Sequence, residues 1–265
     1  AAAAIYITSN DAGVVKAGIS QAGLSAVQEL AGALARRHST NWRALARQES
    51  ENLGISRIPI HQASQWLIVA DGVLNRIPFE VLEHEGKLLI EKAEIAYLPS
   101  AHLLAQRLEA SPTHRRRWPW ELTMSAFADP QPDSGGKALF DDALPQLAFS
   151  DPEVRAASSA LPGSARLHIG GDNLRRHVAI DAAAGVPVFH FATHASVDIV
   201  DSRRSRLVFT PENGDPSSGY LLATDIARLK MNGAELVTLA ACDTEQGSYV
   251  RGEGVESFSR AFLAA

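Results

Sequence analysis

From Gln65 onward the chain carries seven apolar runs, each of strand length and far too short to span a membrane. They are WLIVA (66–70), IAYL (95–98), LTMSAFA (122–128), RLHI (166–169), VPVFHFAT (186–193), RLVFT (206–210) and ELVTLAA (235–241). Unbroken apolar stretches of this length suit strands buried on both faces of a largely parallel sheet, whereas a half-exposed strand would alternate. Helical candidates at 100–110, 152–160, 173–184 and 224–232 lie between them. Strands alternating with helices predict an α/β architecture in which helices flank a central sheet. The 265 residues are 46% hydrophobic, enough to bury one large core, or one core and a smaller lobe.

The front of the chain has a different texture. Leu24, Val27, Leu30 and Leu34 recur at helical spacing and Arg36 and Arg37 close the segment, so residues 12–37 read as a helix, followed by a more polar one over 41–53. Residues 1–60 are therefore expected to form an N-terminal helical extension packed on an α/β domain spanning 61–265. Ser111–Trp120 and Asp129–Lys137 are rich in Pro, Gly and charge and read as loops. Within the first, the Arg115, Arg116 and Arg117 run beside Trp118 and Trp120 is read as a solvated turn. A net charge of −5 supplies no basic field, so no direct nucleic-acid binding is expected.

No run of 18 apolar residues and no charged leader followed by an apolar stretch is present, which predicts no membrane association and a cytoplasmic location. A single cysteine excludes an internal disulfide framework and a multi-thiolate metal site. With no Gly-x-x-x-x-Gly-Lys loop and no His-Glu-x-x-His, no cofactor and no metal are expected.

In open parallel sheets, reactive groups gather where the carboxyl ends of strands meet solvent. Two runs end on chemistry. The first exits into His194, Ala195 and Ser196, the second into Cys242, Asp243, Thr244 and Glu245. A helix opened by Thr224 and Asp225 and closed by Lys230 and Gly233 is expected to connect them as a strand–crossover–strand unit, placing the runs side by side or nearly so. Neighbouring strands lie about 4.8 Å apart, close enough for a thiol and an imidazole to exchange a proton. His190 would sit roughly 13 Å down the strand from His194, too deep for the same site, and reads as a buried, hydrogen-bonded structural residue. Spacing alone leaves Cys242 open between a small buried hydrophobe and a nucleophile.

The residues VFHFATHA (188–195), LAACDTEQG (239–247) and RGEGVESFSRAFLAA (251–265) closely resemble the CHAT family of caspase-like, clan CD cysteine peptidases, bacterial relatives of caspases and separase. LIVADGVLNRIPFEVL (67–82) and IAYLPSAHLL (95–104) look like the same family's early strands, and the resemblance runs from about Gln65 to Ala265. It implies a caspase-hemoglobinase-like fold with Cys242 as nucleophile and His194 as base. It also implies an oxyanion hole built from the backbone N–H groups of Cys242 and Ala195. The family pattern has glycine at the latter position, so a left-handed backbone there would be strained in this chain. The ends of the central strands and the loop after the cysteine would form the specificity pocket, where Asp71, Asp243 and Glu245 could supply acidic lining for a basic side chain. Ala240, two positions before the nucleophile, brings no charge. The family continues past the position of Ala265 into at least one further strand and helix.

The resemblance implies a protease acting on one or a few specific protein partners. Control by a sensor domain or partner protein, in a bacterial antiviral defence or cell-death pathway, would be typical. A catalytically silent caspase-like interaction or scaffold module is the alternative from another class. Glutaminase-type acyl transfer ranks last, because Ala240 and Thr244 stand where a Gly-x-Cys-x-Gly elbow has its glycines.

Overall fold

The computed structural model describes residues 2–8, 11–17, 21–36, 38–59, 64–70, 74, 77–109, 117–131, 146–198, 201–231, 233–240 and 253–265. Two compact units divide the chain, Ala1–Ser111 and Pro112–Ala265.

In the first unit, β1 (Ala2–Ile7) and β2 (Ala12–Ala17) form an antiparallel hairpin ahead of α1 (Gln21–Ala35) and α2 (Trp42–Leu53). Residues 12–17 are thus a strand and not the opening of a helix. Exposed Val14 and buried Val15 alternate with the period of two that a pleated strand imposes, and β-branched side chains favour that backbone. The second helix buries Ala46, Glu49, Ser50 and Leu53 along one stripe. It stops at Gly54, whose φ of 70° lets its N–H turn back onto Glu51 and Ser50 carbonyls. The chain continues through β3 (Gln65–Ile68), a small antiparallel pair β4 (Glu83–His84) and β5 (Lys87–Leu88), then β6 (Glu94–Tyr97) and α3 (Ala101–Glu109), with β3 and β6 parallel partners. Val27, Leu30, Leu53, Ile55, Phe79, Leu82 and Leu89 form the core of this unit.

The second unit holds the main sheet. Its strands are β7 (Thr123–Ala128), β8 (Ser164–Ile169) and β9 (Val188–Ala192), with α4 (Ser150–Ala160) between the first two and α5 (Arg176–Ala182) between the last two. After β9 come β10 (Ala195–Ser196), β11 (Arg206–Val208), β12 (Tyr220–Leu222), α6 (Ala223–Ile226), β13 (Leu236–Leu239) and α7 (Glu253–Ala264). Four strands run parallel in the order β13-β9-β7-β8. The pleat sorts their side chains. Met124, Ala126, Ala128, Val188 and Ala192 face Val154 of α4, while Phe127, Phe189 and Phe191 face Leu174, Phe209, Ile226 and Phe258 on the other side. Phe127 and Phe191 stack 5.0 Å apart, with Phe209 edge-on to both. Helices thus cover both faces, and continuous apolar runs are what such strands require.

In this second unit two details differ from the sequence expectation. Of the run over 206–210, Arg206–Val208 belong to a separate antiparallel sheet of order β10-β11-β12 rather than to the parallel one. The connection from β9 to β13 is that small sheet followed by a four-residue α6, not a helix over 224–232. The N-cap is Leu222 rather than Thr224 or Asp225, with Asp225 inside the first turn accepting from the Leu222 N–H at 3.4 Å, and the helix ends early as the Met231 N–H turns to the Ala265 carbonyl.

Candidate functional site

The carboxyl ends of the four parallel strands share one edge of the sheet. The chain passes from β7 outward to β8, then returns on the other side of β7 to β9 and outward again to β13. The order therefore reverses between β7 and β9, a topological switch point, where open parallel sheets form their binding crevice.

His194 leaves this edge from β9. After Ala192 the chain bends at buried Thr193, and the His194 carbonyl accepts the Val208 N–H at 2.9 Å, which draws the backbone into β10. His194 is itself buried, 2% exposed. Beside it, β13 pairs in register with β9, Leu236 with Val188 through Leu239 with Phe191, and the Ala240 N–H continues the ladder to the Phe191 carbonyl at 2.8 Å. Cys242, Asp243 and Glu245 lie outside the described residues, as does Asp71.

Ala195 opens β10 opposite Leu207, outside the left-handed backbone region, so the strain anticipated for a non-glycine residue here does not arise. The ladder also sets where its N–H points. The Val208 N–H bond to His194 O makes Ala195 and Leu207 a non-hydrogen-bonded pair and Ser196 and Arg206 the hydrogen-bonded one. The Ala195 N–H is consequently directed away from β11.

On the other side of the switch point, β7 exits into Asp129, the first residue of the loop expected over 129–137. Its φ is 58°, a conformation Asp tolerates better than most residues. One carboxylate oxygen accepts from the Gln131 side-chain amide at 2.9 Å, while Oδ1 is buried with no hydrogen-bond partner among the described residues. Asp-Pro directly after an apolar run was the available signal. Beyond β7, at the exit of β8, Gly170 and Gly171 both have positive φ.

His190 is held inside the sheet and does not reach the edge. Its Nδ1 lies 2.6 Å from Thr238 Oγ1 on β13, and its Nε2 lies 2.9 Å from Glu153 Oε1 on α4. His168, on β8, stacks against Phe127 at 4.8 Å, and its burial, aided by the Arg166 charge, holds it below the usual imidazole value. Arg117 pairs with Glu235 at 2.8 Å, while Trp118 and Trp120 stack on each other at 5.1 Å and are largely exposed. Among the described residues no group of three His, Cys, Asp or Glu side chains is arranged to hold a metal ion, and no helix is long and apolar enough to cross a membrane.

Compared with known proteins, residues 28–265 match the model of the CHAT domain family. No curated protein matches the sequence. The mixed α/β layers with a four-stranded parallel sheet are consistent with a caspase-like fold.

Proposed function

The chain belongs to the CHAT domain family, and from that premise we propose that it is a cysteine endopeptidase with Cys242 as nucleophile and His194 as general base. The observation that carries this reading is the pairing of β9 with β13. They are parallel neighbours, and His194 and Cys242 follow Ala192 and Ala240 by two residues each. Adjacent strands are about 4.8 Å apart and two residues reach at most about 7 Å, so a thiol and an imidazole leaving this edge are within range of one proton transfer.

In this reading the His194 imidazole takes the thiol proton, and the thiolate attacks the substrate's peptide carbonyl. The tetrahedral oxyanion accepts hydrogen bonds from the backbone N–H groups of Ala195 and Cys242. Collapse forms the thioester and expels the amine, which takes its proton from the imidazolium. Water, deprotonated by His194, then hydrolyses the thioester, releasing a carboxylate and restoring the thiol. The outward direction of the Ala195 N–H supports its place in the hole. Asp243 and Glu245, which follow the nucleophile, are our candidates for lining that receives a basic side chain. The targets would be one or a few proteins, under control of a sensor domain or partner protein, in a bacterial defence or cell-death setting in the cytoplasm.

The deep burial of His194 favours one second reading, a catalytically silent caspase-like interaction module. Incubating the protein with candidate partner proteins and mapping cuts by mass spectrometry separates the two. Peptidase chemistry predicts cleavage that vanishes in Cys242→Ala and His194→Ala. Cutting that persists in those variants, or a biological effect that survives Cys242→Ala, would sink the peptidase reading.

A further inference from the structure

The hydrogen bonds of His190 join the three elements on which the proposed dyad depends. Thr238 Oγ1 is 2.6 Å from His190 Nδ1 and 3.2 Å from the Phe189 carbonyl oxygen, and the Glu153 carboxylate lies 2.9 Å from His190 Nε2. Thr238 and His190 are directly paired across β13 and β9. His190 stands four residues before His194, and Thr238 four residues before Cys242. The polar contact and the dyad thus share one sequence separation, 48.

Resting on the peptidase reading, we infer that Thr238, His190 and Glu153 are positioning residues that pin β13 to β9 in the register bringing His194 and Cys242 level. Burial alone sets that register incompletely. A slip of one residue would turn every side chain to the wrong face and is strongly disfavoured. A slip of two keeps the faces and offsets one strand end from the other by about 7 Å, too far for proton transfer. Leu236, Val237 and Leu239 meet Val188, Phe189 and Phe191, and apolar contacts of that kind are non-directional. The Thr238 and His190 pair is directional. Displaced by two residues, it would separate His190 Nδ1 from the Thr238 hydroxyl in a largely buried interior, a penalty the apolar neighbours do not impose. Glu153 completes the pin from α4 by fixing the ring plane so that Nδ1 faces β13.

The test exploits the lone cysteine. Iodoacetamide alkylation of the full chain, followed from about pH 4 to about pH 10, reports the thiolate fraction of Cys242, whose ordinary thiol value is near 8.5. A paired imidazole places the wild-type inflection well below that value. Thr238→Val, isosteric and well suited to a strand, is expected to move the inflection back toward it and to lower kcat on a cleaved peptide by about 100-fold, with KM changed less than about threefold. Thr238→Ser should restore both. Glu153→Gln, on the outer helix, should give a smaller shift in the same direction and serves if Thr238→Val folds poorly. A depressed wild-type inflection that Thr238→Val leaves in place, at unchanged kcat, overturns the pin while sparing the dyad. An ordinary inflection in the wild-type chain overturns the dyad, and the pin with it.

Discussion

Replacing Ala195 by proline isolates one backbone N–H. In most strands this substitution removes a ladder hydrogen bond, but Ala195 sits in a non-hydrogen-bonded pair with Leu207, so β10 and β11 lose none. The cost to stability should stay below about 1 kcal/mol. Ser196→Pro, one residue on, deletes the N–H that the ladder directs to the Arg206 carbonyl, and should cost about 1–3 kcal/mol through the carbonyl left behind. If the Ala195 N–H holds the oxyanion, Ala195→Pro should lower kcat by about 100- to 1,000-fold, the loss found for one such donor elsewhere. Ala195→Gly, which keeps the N–H, should stay within a few-fold of wild type. The measurements are urea unfolding for all three variants and initial rates on a cleaved peptide. The pH profile of Cys242 alkylation verifies that the proline has not displaced His194. An Ala195→Pro protein that folds, keeps its alkylation profile and retains kcat within about threefold would refute the assignment. Destabilisation equal to that of Ser196→Pro would refute the ladder geometry behind it.

Glu49 is fully buried on α2, and Oε2 has no hydrogen-bond partner among the described residues. Desolvation raises its carboxyl above the ordinary value, only partly offset by the Asn52 amide bonded to Oε1. A raised acid contributes stability below its unfolded pKa and loses it as pH rises through the folded one. Glu49→Gln, a mimic of the protonated form, should therefore gain on wild type in urea midpoint as pH goes from about 5 to about 8; a pH-independent difference would contradict this. A Cβ on Gly163 would lie 1.7 Å from the Leu122 carbonyl oxygen, which accepts the Ser164 N–H at the start of β8. Gly163→Ala should cost about 2–4 kcal/mol as backbone and ladder are forced apart; a wild-type Tm would show that the β7–β8 edge gives way freely.

The place of His194 and of the strand that leads toward Cys242 was legible because it depends on local pattern. His194 and the path to Cys242 stand directly after apolar runs, and a run of that kind ends where the sheet meets its edge. His190 was legible as structural for the same reason, since four strand residues carry it deep into the sheet, where its two nitrogens find Thr238 and Glu153. Asp129 was not legible as more than a loop residue. Its buried oxygen and left-handed backbone arise from what packs around the turn, and Asp-Pro alone carries neither.

The amino-acid order by itself marked the seven apolar runs that became β3, β6, β7, β8, β9, β11 and β13, because hydrophobic patterning is a property of neighbours along the chain. Tertiary structure alone decided partnership. Val14 and Val15 joined a hairpin rather than a helix because β1 was there to pair with them. Arg206–Val208 became the middle of an antiparallel sheet rather than a parallel strand because β10 and β12 flank it. An apolar run states that it must be buried and is silent on which strand will supply its hydrogen bonds, since that choice is settled by the free energy of the whole assembled core.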